Sequence, residues 1–141
     1  MTAPAASTHS LVIERDLPHT PEKIWRALTE TNLIQQWLMD NDFEPTPGHK
    51  FNLRSPPVQG WNGVIDGEVL LVEPQRLLSY TWSTMGMASV VTFTLTATAA
   101  GTLLRMEHSG FPSTDGPSYK GASWGWQNFL GKLENVVGGL Q

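Results

Sequence analysis

Hydrophobic positions follow a helical period in the first third of the chain and a strand period after it. A weakly alternating segment, residues 11–17, predicts a first strand that ends at Pro18. Thr20 and Pro21 then form a helix start, because threonine caps helices and proline fits the first helical position. Two short helices are predicted from apolar residues at helical spacing. They are Ile24, Trp25, Ala27 and Leu28 in the first helix, and Leu33, Ile34, Trp37 and Leu38 in the second, at about residues 31–38.

After Pro47-Gly48 the pattern becomes that of strands separated by turns containing proline or glycine. Five strands are predicted, at residues 50–54, 64–72, 77–83, 90–97 and 103–109, and their succession indicates an antiparallel meander. Alternation assigns an inner face to the last three strands, consisting of Leu78, Tyr80, Trp82, Val91, Phe93, Leu95, Leu104, Met106 and His108. Mostly serine, threonine, arginine and glutamate occupy the opposite face, which predicts a sheet that faces water on one side.

The last segment, residues 118–140, returns to helical spacing and predicts one long helix that covers the inner face. Its apolar stripe is Tyr119, Ala122, Trp126, Phe129 or Leu130, Leu133 and Val137. Residues 1–10 lack periodicity and are rich in Ala, Ser and Thr, so we expect a disordered leader there. A single domain should then occupy residues 11–141. The predicted fold class is α+β, with one long C-terminal helix across one sheet of about six strands.

Composition narrows the functional classes. A chain of 141 residues is expected to form one domain, and its net charge of −4 argues against nucleic acid as a partner. The absence of cysteine excludes disulfides and thiolate metal sites. No segment has the pattern of a secretory signal or a transmembrane span, so we expect a cytoplasmic protein without membrane insertion.

Six tryptophans in one small domain are more than a minimal core requires. We therefore predict a ligand cavity lined by aromatic and other inner residues: Trp37, Phe43, Phe51, Trp61, Tyr80, Trp82, Phe93, Met106, His108, Tyr119, Trp126 and Phe129. Met85 and Met87 would add deformable apolar surface. The alternative is that most of these side chains form a solid core. Trp61, in a turn-rich stretch, would be either the rim of an opening or an isolated surface aromatic.

His108 is the sharpest polar candidate, because alternation places its imidazole inside. It is either a hydrogen-bonded core residue or a group that binds a ligand or titrates in the cavity. The two tyrosines, Tyr80 and Tyr119, could each donate to a ligand oxygen or cap a backbone carbonyl at the edge of the core.

No metal, cofactor or catalytic site is predicted. Asp40 and Asp42 have a spacing compatible with a hard cation, but the segment offers too few oxygen ligands, and a solvated loop is expected. The histidines other than His108 lie in the leader or in turns without ligand spacing. A nucleophile elbow, a phosphate loop and a dinucleotide fingerprint are all missing from the sequence.

A series of short motifs in a fixed order carries a resemblance to a known family. The motifs are Pro21-Glu-Lys-Ile-Trp-Arg-Ala-Leu-Thr29, Trp37-Leu38, Pro47-Gly48, Gly67-Glu-Val69, Pro74-Gln-Arg-Leu77, Tyr80-Thr-Trp82, Gly101-Thr-Leu103, His108-Ser-Gly-Phe111 and Gly125-Trp126. Over about residues 11–138 the chain resembles the activator-of-heat-shock-ATPase-like family of the START-related (SRPBCC) superfamily. The resemblance implies the helix-grip fold, in which a curved sheet wraps around the C-terminal helix. It also implies a deep cavity, used in the superfamily for lipids, polyketides, sterols and other apolar molecules.

Three functional classes follow. The first is a non-catalytic carrier, sensor or sequestering protein for an apolar small molecule, with His108, Tyr80 and Arg54 as orienting groups. The second is a cyclase or hydratase acting on a polyketide-like substrate, which would need an inner ionisable pair. Alternation places the Glu107 side chain on the outer face, so it does not complete an inner ionisable pair with His108. The third is a chaperone-linked or stress-response interaction protein, although the resemblance is only to the C-terminal domain of the namesake co-chaperone. A homodimer is compatible with each class.

Overall fold

The computed structural model describes residues 9–56, 62–84, 86–112 and 116–140. In chain order the elements are β1 (His9–Leu17), α1 (Pro21–Thr29), α2 (Thr31–Trp37), β2 (Asp40–Asn41), β3 (Lys50–Arg54), β4 (Val64–Glu73), β5 (Leu77–Thr84), β6 (Met87–Ala97), β7 (Thr102–Phe111) and α3 (Pro117–Gly138). All strands belong to one antiparallel sheet of order β1-β7-β6-β5-β4-β3-β2. The predicted α+β class and helix-grip arrangement are confirmed.

The sheet has seven strands rather than about six. The additional strand is β2, which pairs its two residues with Leu53 and Arg54 of β3. A strand of two residues has no alternation to detect, so the sequence pattern could not reveal it. β1 begins at His9, so residues 9 and 10 of the expected leader belong to the sheet.

The start of α1 follows the sequence prediction closely. Thr20 is the N-cap, its hydroxyl accepts a hydrogen bond from the Lys23 backbone N–H at 3.4 Å, and Pro21 occupies the first turn. At the end of α1, Glu30 has an extended backbone conformation. It is both the C-cap residue of α1 and the N-cap residue of α2. The two short helices therefore follow each other directly and pack beside α3.

The core lies between the inner face of the sheet and α3. All nine residues that alternation assigned to the inner face of β5, β6 and β7 are buried, and so are Trp126, Leu130, Leu133 and Val137 of α3. The sequence left Phe129 and Leu130 as alternatives at one position, and Leu130 is the fully buried one. Phe129 is half-buried and packs against the core from the side.

Two regions of the sheet depart from simple alternation. The pairing of β4 with β5 shifts register between Val69 and Leu71, and this bulge leaves Leu70 and Leu71 exposed. On the outer face of β5, Ser79 is buried although the pattern predicted a wet surface, and its hydroxyl is 3.0 Å from that of Thr92. None of the helices in the described part of the chain is long and apolar enough to cross a membrane.

Candidate ligand-binding site

Aromatic rings form a continuous network between the sheet and α3. Phe43, Phe51 and Tyr80 contact one another edge to face, with ring centroids 5.0 to 5.7 Å apart. Tyr80 reaches Phe93 at 6.2 Å, and Phe93 meets Trp126 of α3 at 5.9 Å. These separations lie in the range of favourable aromatic pairs. The network therefore links β3 to the gripping helix across the whole inner face.

A second part of the network lies near the end of β5. Trp82 contacts Trp126 with ring centroids 5.2 Å apart, and His108 lies 5.5 Å from Trp82. His108 also contacts Phe111, which in turn contacts Tyr119 in the first turns of α3. Residues from β5, β7 and α3 thus form one aromatic wall.

Gly67 creates the space for one of these rings. It pairs with Phe51 across β3 and β4, and a Cβ at this glycine would overlap the Phe51 ring and approach the Thr81 carbonyl oxygen to 2.7 Å. The ring of Phe51 therefore lies over the backbone of β4. This is a close approach that only glycine permits.

His108 is held by hydrogen bonds on both ring nitrogens. The Trp126 Nε1–H donates to His108 Nδ1 at 2.9 Å, so Nδ1 is the unprotonated nitrogen. The proton is then on Nε2, which lies 2.7 Å from the Ser89 hydroxyl. The Ser89 hydroxyl donates a hydrogen bond to the Trp82 carbonyl oxygen at 2.7 Å. The chain of donors runs in one direction from α3 to β5.

This arrangement keeps the imidazole neutral. His108 is 3% exposed, and burial lowers its pKa to about 4. Both nitrogens are engaged by protein groups, so the geometry favours a hydrogen-bonded core histidine over a group that binds a ligand. Alternation could place His108 inside, but its partners come from residues 18 and 19 positions away and could not be inferred.

Two other polar atoms on the inner face have no such partner among the residues that the structure describes. Tyr80 is 4% exposed and Trp82 is 8% exposed. Within the described residues, neither the Tyr80 hydroxyl nor the Trp82 Nε1–H makes a hydrogen bond. Burial raises the pKa of the Tyr80 hydroxyl well above its ordinary value, so the phenol stays protonated.

The remaining predicted cavity residues divide by location. Trp37, Phe43, Phe51, Phe93 and Met106 are buried in the network, and Tyr119 and Phe129 are half-buried at its border. Trp61 and Met85 lie outside the described residues. Arg54, expected to orient a ligand, is exposed, and its guanidinium donates to the Asn52 side-chain oxygen at 3.3 Å. Whether these side chains line a ligand cavity stays a prediction.

The two aspartates have structural contacts. Asp40 belongs to β2 and pairs with Arg54, while the Asp42 carboxylate accepts the Asn52 backbone N–H at 2.7 Å. Among the described residues, no three histidines or acids are grouped as metal ligands.

A groove on the outer face of α3 was not foreseen. It has a volume of about 550 Å³ and is lined by Tyr119, Lys120, Ser123, Trp124, Gln127 and Asn128. Trp124 is 73% exposed at this groove. The apolar stripe of α3 identifies residues that face the sheet but says nothing about the shape of the opposite face.

Several solved structures are similar to this chain. MLL2253 from Mesorhizobium loti is 48% identical over 94% of this chain and 99% of that one, with a TM-score of 0.86. CalU16 from Micromonospora echinospora is 28% identical over 97% of this chain and 81% of that one, with a TM-score of 0.77. DynU16, a protein of the dynemicin biosynthetic locus, is 25% identical over 92% of this chain and 47% of that one, with a TM-score of 0.78.

No curated protein matches this chain significantly. The model of one family does match it, over residues 18–138, and this range includes α1, α2, β2 to β7 and all of α3. The match covers most of the chain and agrees with the observed helix-grip arrangement. The chain therefore belongs to the family described as activator of Hsp90 ATPase homolog 1-like protein.

Proposed function

We propose that this protein binds an apolar small molecule between the sheet and α3 and carries or sequesters it without changing it chemically. The observation that carries the proposal is the aromatic network, which extends from Phe43 to Tyr119 along the inner face. Ligand sites of small proteins are mostly apolar, with a few placed polar groups. The inner face has that composition.

Binding is favoured over catalysis because the described inner face offers no group to move a proton. His108 is neutral, and both its nitrogens are engaged by Trp126 and Ser89. The neighbouring carboxylate, Glu107, is directed away from the inner face and pairs with Arg105 at 2.9 Å. A cyclase or hydratase would need an acid or a base within reach of its substrate.

The similarity to DynU16 supports a small molecule as the ligand, since that protein is from a biosynthetic locus. This chain spans about half of DynU16, so we extend only the ligand class to it. The ligand would lie near the end of β5, where the side-chain polar atoms of Trp82 and Tyr80 bond to no described residue. Its entry would require the aromatic rings to move apart, since Tyr80, Phe93, Trp126 and Trp82 are in contact through their rings.

The experiment is native mass spectrometry of the protein purified from its own host, followed by thermal denaturation with any co-purified compound. We expect a bound apolar mass that raises the melting temperature, because a ligand that binds only the folded state stabilises it. The proposal would be contradicted if the protein carried no bound compound and if no compound of a broad apolar library changed its melting temperature.

A matched pair of variants locates the site. Trp82→Phe makes the same chemical change inside the aromatic network that Trp124→Phe makes at the outer groove of α3. We expect the first variant to weaken binding and the second to leave it unchanged. The reverse result would place the ligand in the outer groove.

A further inference from the structure

We propose that two copies of this protein associate through the outer face of α3, with the two helices packed antiparallel about a two-fold axis. In this arrangement Trp124 of each copy packs over Gly131 of the other. The surface lies opposite the apolar stripe that faces the sheet, so the proposal does not depend on a ligand in the aromatic network. A second copy of the chain is the partner because the surface is complementary to itself.

The first observation is the exposure of Trp124. This residue is 73% exposed near the middle of α3, beside the groove of about 550 Å³. Among the described residues, the other exposed large hydrophobic side chains are Val12, Leu70 and Leu71 of the strands, and none is more than 54% exposed. Tryptophan is enriched at protein interfaces, where it buries a large apolar area. Trp124 is therefore the side chain that gains most from being covered.

The second observation is that the outer face of α3 carries few charges. Of the 22 residues of α3, only Lys120, Lys132 and Glu134 are charged, whereas the solvent-facing side of a helix usually carries many charged side chains. Gly131 lies seven residues, or about two turns, from Trp124, so both occupy one face. A Cβ at Gly131 would meet no atom beyond its own helix. The face therefore combines a projecting indole with an open position that can receive one.

Antiparallel packing about a two-fold axis brings these two features together. If the axis passes between Gln127 and Asn128, residues at equal distances from that point along α3 face each other across the contact. Trp124 and Gly131 are at equal distances from it, so each indole meets the glycine of the other copy. The pair forms twice, because a two-fold contact uses the same surface on both copies. The exposed side chains of Gln127 and Asn128 then lie at the axis.

The charges of α3 are complementary in the same arrangement. Lys120 and Glu134 are fourteen residues, or about four turns, apart, so they lie on one flank of the outer face. They are within one residue of equal distances from the axis, which sets Lys120 of each copy beside Glu134 of the other. Neither side chain forms an ion pair with a described residue of its own copy. Parallel packing in register would instead set Lys120 beside Lys120, which is repulsive.

The contact between one pair of helices is small compared with a standard interface, which buries about 1,200 to 2,000 Å². We therefore expect a reversible dimer with a dissociation constant on the order of 10 to 100 µM. Its two ion pairs lie at the surface, so the dimer should weaken as the salt concentration rises.

The test is sedimentation equilibrium of the full chain over a concentration range that spans this dissociation constant, at low and at high salt. We expect a monomer–dimer equilibrium. Trp124→Ala should lower the association constant at least tenfold, because the indole is the largest apolar group in the contact. Far-ultraviolet circular dichroism checks that the variant remains folded.

Charge reversal tests the antiparallel register. Lys120→Glu and Glu134→Lys each set like charges together, so each variant alone should self-associate at least fivefold more weakly than the natural protein. An equimolar mixture of the two should form a heterodimer with an affinity close to that of the natural dimer, since both mixed contacts restore opposite charges. Lys132→Glu makes the same change in net charge on the other flank of α3 and should leave association unchanged.

Three results would overturn the inference. The first is a protein that stays monomeric over the whole concentration range. The second is a dimer that persists in Trp124→Ala, because the interface would then lie elsewhere, such as along the edge strand β1. The third is a mixture of Lys120→Glu and Glu134→Lys that associates no better than either variant alone.

Discussion

His108 shows how a single residue connects folding stability to pH. Its neutral imidazole accepts from Trp126 and donates to Ser89, and protonation of Nδ1 would break the first of these bonds. The side chain is buried, so an imidazolium would also lose its hydration. The residue that the sequence singles out as the sharpest polar candidate therefore has a structural role that can be measured.

We predict that the protein loses stability as the pH falls from about 6.5 to about 4. The pKa of His108 is about 4 in the folded state and near 6.5 when exposed, so the unfolded chain binds more protons in this interval. The stabilising contribution is complete above pH 6.5 and disappears as the pH falls through the folded-state pKa. Its size is roughly 3 kcal/mol. Urea denaturation at half-unit pH steps measures it.

The control for this pH dependence is His108→Leu. That variant should be less stable than the natural protein at pH 7 by about 2 kcal/mol, because the Trp126 N–H loses its acceptor. Between pH 6.5 and 4 its stability should fall less steeply. Parallel pH profiles for the two proteins would show that another group titrates.

The same substitution separates structure from binding. Because both His108 nitrogens are engaged within the protein, we predict that His108→Leu changes stability more than the affinity for an apolar ligand. The comparison requires a folded variant, so affinity for the co-purified compound is measured by calorimetry at pH 7 and 15 °C. A loss of affinity larger than that of Trp82→Phe would assign His108 to the ligand site.

At the scale of elements, the long helix α3 has an unusual composition. It contains Gly121, Gly125, Gly131 and Gly138, and each glycine lowers intrinsic helix stability by up to about 1 kcal/mol relative to alanine. The helix is therefore held mainly by burial of Trp126, Leu130, Leu133 and Val137. Sequence periodicity could predict this helix because burial of its apolar stripe stabilises it more than its glycines destabilise it.

We predict that Gly121→Ala and Gly131→Ala each stabilise the protein by about 0.5 to 1 kcal/mol. A Cβ at either position meets no atom within 4 Å beyond its chain neighbours and the nearby backbone of its own helix, so the gain in helix propensity has no steric cost. Thermal and urea denaturation of the single and double variants provide the measurement. Destabilisation by either change would show that α3 needs flexibility or an unfilled surface at that position.

The opposite result is expected at Gly67. Gly67→Ala would drive a methyl group into the Phe51 ring and the Thr81 carbonyl oxygen, both in the sheet. We predict a loss of about 1 to 3 kcal/mol, which is typical of overpacking. The double variant Gly67→Ala with Phe51→Leu should recover part of this loss. If the single variant is neutral by urea denaturation, the Phe51 ring does not lie over this backbone.

Most elements could be predicted because their pattern is local. The bounds of β3 match residues 50–54, and alternation identified every inner residue of β5, β6 and β7. The exposed Leu70 and Leu71 could not be predicted, because the bulge that turns them outward depends on pairing with β5. Likewise, alternation placed Tyr80 and Trp82 inside, but only three-dimensional contacts show that their polar atoms bond to no described residue.

At the scale of the whole molecule, α3 is the element that joins the others. It contacts α1, α2 and β1, and through Trp126 it reaches the rings of β5 and β6. Its four buried side chains lie within residues 126–137, and Tyr119 and Ala122 nearer its start are partly buried against the core. The helix should therefore unfold together with the sheet. Ligand entry would then depend on local rearrangement of aromatic rings rather than on detachment of the whole helix.

This cooperativity gives the last prediction. Leu133→Ala, at a fully buried position of α3, should lower the free energy of unfolding by about 2 to 5 kcal/mol. Leu70→Ala is the matched control, since it deletes the same atoms from a leucine that is 41% exposed, and it should cost much less. Far-ultraviolet circular dichroism and tryptophan fluorescence should give the same urea midpoint for each protein, because helix and sheet form one unit. If the helical signal in Leu133→Ala were lost at a lower urea concentration than the signal of the buried tryptophans, α3 would be a detachable cover, and the route of ligand entry would lie beneath it.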